Sequence, residues 1–322
     1  MSGPNKIASK VSAVLQALLM MVVFVCVSYL VFFVFAFFKI DREIYKGAFN
    51  FSNCVATIIA MLIVNKANST GKESFFKMKK LQPNQVVALL IIALGMLGMV
   101  TMYIYAADKI AEYLRSMQEA MEDYRESVDR FSETEQAVVP VWDSVLYVIN
   151  LCFVVPFAEE MCFRGAVYGV LRKGFGPVLS VILSAVGFGI LHGVNIHIGY
   201  AIACGLILAA CYHLTDSLYA SILLHMVFNV LGSGVASFMT IERFGIPSQI
   251  TNRVMVNVNL LSLLAMPLAV LAIAYLVNDR RSRIKKEAAL AEAAAFATVP
   301  ADTEEKVKAE EPENSEDQEE LE

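Results

Sequence analysis

The stretch FAEEMCFRG, Phe157 to Gly165, closes an apolar run reading Tyr147-Val-Ile-Asn-Leu-Cys-Phe-Val-Val-Pro156. It sets Glu159, Glu160 and Arg164 where a membrane helix would otherwise be apolar. Ionisable groups are expensive in hydrocarbon, and where they occur they mark a site or a water-filled cavity. What this stretch means depends on whether the chain around it crosses a membrane.

Composition answers that question. Of 322 residues, 57% are hydrophobic and only 18% charged, and the mean hydropathy is +0.58. Soluble domains carry about a quarter charged residues. Here the charges gather in loops and in an acidic C-terminal segment, Ala301–Glu322, which alone makes the net charge of -5 negative. That segment is too polar to bury a core and is expected to be a disordered, solvating tail, with partner binding as the other reading. The six cysteines, Cys26, Cys54, Cys152, Cys162, Cys204 and Cys211, lie in apolar stretches without a CxxC pair. They read as buried thiols.

A bilayer core takes about 20 apolar residues per helix. The apolar windows predict an all-α, polytopic membrane protein of about eight transmembrane helices, near 11–38, 48–65, 84–107, 141–171, 177–194, 197–213, 217–238 and 255–277. Basic residues set the orientation. Lys66, Lys72, Lys77, Lys79 and Lys80 follow the second span, Arg172 and Lys173 the fourth, and Arg280, Arg281, Arg283, Lys285 and Lys286 the last. With eight spans these clusters share one side with Lys6 and Lys10, so the expectation is a multi-pass cell-membrane protein with both termini cytoplasmic. The segment Asp108–Gln136 lies opposite and carries apolar residues at helical intervals, which predicts an acidic, amphipathic exterior helix.

Three groups of polar residues interrupt the apolar helices. Glu160 and Arg164 are four apart, share a helical face and can pair, whereas Glu159 is rotated by about 100° and keeps its carboxylate uncommitted. His192 follows Phe188 by one turn, and His225 and Asn229 again share a face. Each group alone also reads as a helix end, a satisfied histidine or interhelical glue. Their depths overlap. At 1.5 Å per residue, Glu159 and Asn229 lie about 20 Å, His192 about 22 Å and His225 roughly 13 Å from the adjoining loops.

In order, these groups read EEMCFR (159–164), FGILH (188–192) and HMVFN (225–229). The pattern resembles the EExxxR, FxxxH and HxxxN motifs of the CPBP family of intramembrane proteases, also called the Abi or CAAX-protease family, to which the Ras-converting CAAX endopeptidase belongs. The resemblance covers residues 140–240 and implies a protease core there, with the active site inside the bundle. Around that core the chain divides into residues 1–139, three spans plus the acidic segment; 241–286, the last span with its basic flank; and 287–322, the acidic tail.

The resemblance further implies that Glu159, helped by His192, activates a water for attack on a peptide carbonyl. Arg164 would hold Glu160, while His225 and Asn229 would stabilise the oxyanion. Glu159, His192 and His225 would be the ligands if a divalent metal such as zinc is used. No HExxH is present, and metal dependence stays open with no obligatory metal preferred. The expected partners are the lipid bilayer and a peptide or membrane-protein substrate, with lipidation of that substrate open; nucleic acid is not expected. The alternatives are a non-enzymatic scaffold or bacteriocin self-immunity factor of the same fold, and then a transporter, although no pair of broken-helix repeats is visible.

Overall fold

The computed structural model describes residues 4–68, 74–132, 139–193 and 196–297. The acidic tail 301–322, Lys72 and the end of the acidic segment (133–136) lie outside the described residues. Among those described, the chain is helical, with one isolated bridge between Met78 and Ser217. Its helices are α1 (Pro4–Phe37), α2 (Lys46–Asn68), α3 (Pro83–Ala111), α4 (Arg115–Ser132), α5 (Val141–Gly174), α6 (Pro177–Leu191), α7 (Ile196–Thr215), α8 (Leu218–Met239) and α9 (Ser248–Ala297).

Seven of these are long and apolar enough to cross a membrane. The exception among the expected spans is α6, whose 15 residues reach only about 22 Å at 1.5 Å each. It stops because His192 leaves helical geometry (ψ 0°) and Gly193 takes φ +107°, a left-handed turn that ends a helix at little cost for glycine. The acidic segment also departs from expectation. Asp108–Ala111 complete α3, and a separate α4 begins at Arg115. Met121 of α4 is buried with Ala107 and Ile196, which docks the amphipathic helix on α3 and α7.

The bundle interior has two apolar cores. One joins Met20 of α1, Met61 of α2 and Phe163, Val167 and Val170 of α5 to Phe188 and Tyr212. The other joins Leu89, Ile92 and Met96 of α3 to Leu208, Leu224 and Leu276. Small residues let helices approach closely, as membrane packing requires; a Cβ on Gly189 of α6 would stand 2.3 Å from Ile202 Cγ1 of α7. The bundle runs to Val277, and residues from Asn278 form a second unit in which Arg283 pairs with Asp279 at 3.0 Å.

Helix α5 is not uniform. Two π-helical turns, Asn150–Val154 and Met161–Val167, flank the α-helical Val155–Glu160, and a third, Val230–Gly234, lies in α8 just past Asn229. Such turns are rare and collect at functional sites. Near its start α5 is pinned to α2. The buried Asp143 carboxylate accepts the Gly47 and Ala48 N–H groups at 2.7 and 2.8 Å, and Asn150 donates to the Gly47 carbonyl at 2.8 Å. Asp143 thereby caps the N-terminus of α2, where free N–H groups favour a carboxylate.

Candidate active site

The six polar residues singled out in the sequence come from α5, α8 and the turn that ends α6. Glu160 and Arg164 are completely buried and bonded at 2.8 Å. The Arg164 guanidinium also donates to the Gly205 carbonyl of α7 at 3.2 Å and lies 4.4 Å over the Phe188 ring. Charge, backbone and ring replace part of the water this cation gives up, while its Nε is buried without a hydrogen-bond partner. Pairing of this kind is the condition for keeping an ion inside a bundle.

Glu160 has a second partner. Its Oε1 accepts from His225 Nδ1 at 2.9 Å. His192 is oriented in the same manner, with Nδ1 2.8 Å from the Phe188 carbonyl and its ring 4.2 Å from the Phe188 ring. A carbonyl can only accept, and a carboxylate bonded to arginine accepts as well, so each Nδ1 carries a hydrogen and each ring turns its Nε2 toward Glu159. Both Nε2 atoms stand 3.9 Å from Glu159 Oε2. Both imidazoles therefore face the same carboxylate oxygen.

Exposure grades across this point. The His192 side chain is 32% exposed, Glu159 16% and His225 8%, so the cluster is reached from the His192 side, at the α6 end remote from Pro177. Asn229 is not aimed at Glu159 in the same way. Its amide donates to the Leu151 carbonyl of α5 at 2.8 Å. The other two histidines lie outside the cluster: His213 bonds the Tyr168 hydroxyl at 2.9 Å, and His197 packs on the Tyr124 ring at 4.9 Å.

Sequence reasoning quoted Phe188 within a motif and gave it no task; the structure gives it two, as the carbonyl that fixes the His192 tautomer and the ring beneath Arg164. Its four-residue lead on His192 was the available signal. The acceptor carbonyls of Gly205 and Leu151 carried none, because backbone direction is invisible in residue identity.

Two imidazole nitrogens and a carboxylate oxygen are the right atoms for a divalent cation, and hydrogen bonds to the ring nitrogens facing away from the metal are what metal-bound histidines show. Ligands held tetrahedrally at about 2.1 Å stand roughly 3.4 Å apart. Here the carboxylate oxygen is 3.9 Å from each nitrogen, and no group of three or more His, Cys, Asp or Glu among the described residues forms a metal cage. The side chains as they stand do not fit a metal.

Comparison with known proteins finds likenesses over the middle of the chain. Residues 141–231 match the family model described as type II CAAX prenyl endopeptidase Rce1-like. The chain is also 28% identical over 134 residues to "Putative membrane peptidase YdiL" of Bacillus subtilis (strain 168), covering 41% of this chain and 55% of that protein. The match thus spans about half the length of this relative. No solved structure matches. Fold and site define an all-α, multi-pass membrane protein with a polar cluster inside its bundle. Over residues 141–231, less than a third of its length, the chain is similar to the type II CAAX prenyl endopeptidase Rce1-like family.

Proposed function

We propose that this protein is an intramembrane endopeptidase in which Glu159 activates a water. The observation that supports this most directly is the approach of two imidazole Nε2 atoms to Glu159 Oε2, each at 3.9 Å. That distance is too long for a direct hydrogen bond and short enough for one water to bridge Oε2 and either Nε2, at about 2.8 Å each. A water so held has its own lone pair free to attack.

In the proposed reaction an O–H bond of the water breaks, its proton passes to Glu159, and the water oxygen bonds to the peptide carbonyl carbon. The carbonyl oxygen becomes an oxyanion. His225, held from behind by Glu160, donates to it once its Nε2 has received the proton. When the C–N bond breaks, the proton moves on to the leaving amine. Arg164 holds Glu160 in place, and so acts through His225. The substrate is a peptide or a membrane protein that reaches the cluster from the His192 side.

The test uses purified protein in liposomes, offered quenched peptides with and without a prenyl group, with ion flux followed in parallel. Cleavage that persists in 1,10-phenanthroline is expected. Ion flux without cleavage would favour the transporter, and neither signal would favour the scaffold or immunity factor.

A further inference from the structure

Asn229 poses a question that the reaction above leaves unanswered, because its amide is bonded to backbone. In α5 the Val155 N–H bonds the Asn150 carbonyl, five residues back. The Leu151 carbonyl would then look to the N–H of residue 156, but Pro156 has none. A carbonyl left without a partner inside a membrane bundle is costly. Asn229 supplies the missing donor, at 2.8 Å from Leu151 O. The contact continues one turn further along α8, where a Cβ on Gly234 would fall 2.3 Å from Cys152 Sγ. The π turn of α8 is thus seated against the π turn of α5.

A π turn takes up one extra residue and shifts the phase of everything after it by about 100°, one residue's rotation. Glu159 and Glu160 begin five and six residues past Val154, where the turn ends. Their direction toward His192 and His225 depends on that turn being kept. We propose that Asn229 is a positioning residue: by satisfying the Leu151 carbonyl that Pro156 releases, it locks the π turn that aims Glu159 and Glu160 at the two histidines. This rests on the reading of Glu159 as the base.

The two roles open to Asn229, donor to the substrate or donor to Leu151, part company in a Pro156→Ala background. An N–H at position 156 is five residues from Leu151 and can bond its carbonyl within the π turn, which makes the Asn229 bond dispensable. The full chain in liposomes is compared as wild type, Asn229→Ala, Pro156→Ala and the double variant. Asn229→Ala is expected to lower kcat tenfold or more with KM nearly unchanged, and the double variant to recover most of that loss. The thermal-stability loss from Asn229→Ala should likewise shrink when Pro156→Ala is present. A double variant no faster than Asn229→Ala, with the same stability loss in both backgrounds, would overturn the proposal and leave Asn229 acting on substrate. Should Pro156→Ala not fold, the 13C shift of the Leu151 carbonyl decides: it must move in Asn229→Ala, and a fixed shift refutes the bond. Stability and shift are read without any cleavage, so failure of the peptidase reading is seen separately, as a wild type that cuts nothing.

Discussion

At the scale of the residue, the buried pair Glu160–Arg164 bears most of the electrostatic weight of the site. Both side chains are fully buried, and each has a further partner, the Gly205 carbonyl for Arg164 and His225 for Glu160. Removing one member leaves the other charged in a dry interior, which costs about 3–5 kcal/mol. Glu160→Gln and Arg164→Met are therefore expected to destabilise strongly alone and by far less than their sum together. A double-mutant cycle on unfolding in detergent measures this, and additive losses would mean the pair contributes nothing as a pair. The pairing was legible from the four-residue spacing. The His225–Glu160 bond was not, because it joins residues 65 apart in sequence and only the packing of α8 on α5 brings them together.

At the scale of the element, the helices were legible from apolar runs and their defects were not. Pro156 announces an irregularity in α5, yet nothing in the sequence says that it is a π turn or that Asn229 completes it. The shortness of α6 was hidden for a related reason. Gly193 ends the helix, while Val194 continues the apolar run that a hydropathy reading follows. Close packing of α6 on α7 makes Gly189 intolerant. Gly189→Val would drive a side chain into Ile202, and overpacking of this kind costs about 1–3 kcal/mol; a lowered melting temperature is expected, with partial relief when Ile202→Ala is added. At the other end of the site, Asp143→Ala removes the cap of α2 at a cost of about 1–2 kcal/mol. Asp143→Asn, which keeps one acceptor oxygen, should lose less.

At the scale of the whole molecule, composition and span spacing made the all-α membrane bundle legible, and three short motifs made its polar cluster legible. The basic loops flanking the fourth and seventh spans predict a cluster open to the cytoplasmic side, whereas the exposure of His192 argues for the opposite side. Glu159 lies 15 residues from Gly174, and His192 lies at the end of α6 remote from Pro177, so the basic loops are distant from the exposed His192. We expect single cysteines near His192, in a background cleared of native thiols, to react with an impermeant reagent from the side that carries α4. Labelling confined to the side of Arg172 and Lys173 would contradict this. The central claim, that Glu159 activates a water to cut a peptide bond, has a more direct test. Wild type and Glu159→Gln are reconstituted in liposomes with a cleavable peptide in 18O-water, and the products are weighed. The account predicts that wild type places one 18O in the new carboxyl terminus, and that Glu159→Gln, folded and equally stable, cuts about 10²–10⁴-fold more slowly. Cleavage by Glu159→Gln at the wild-type rate would contradict it.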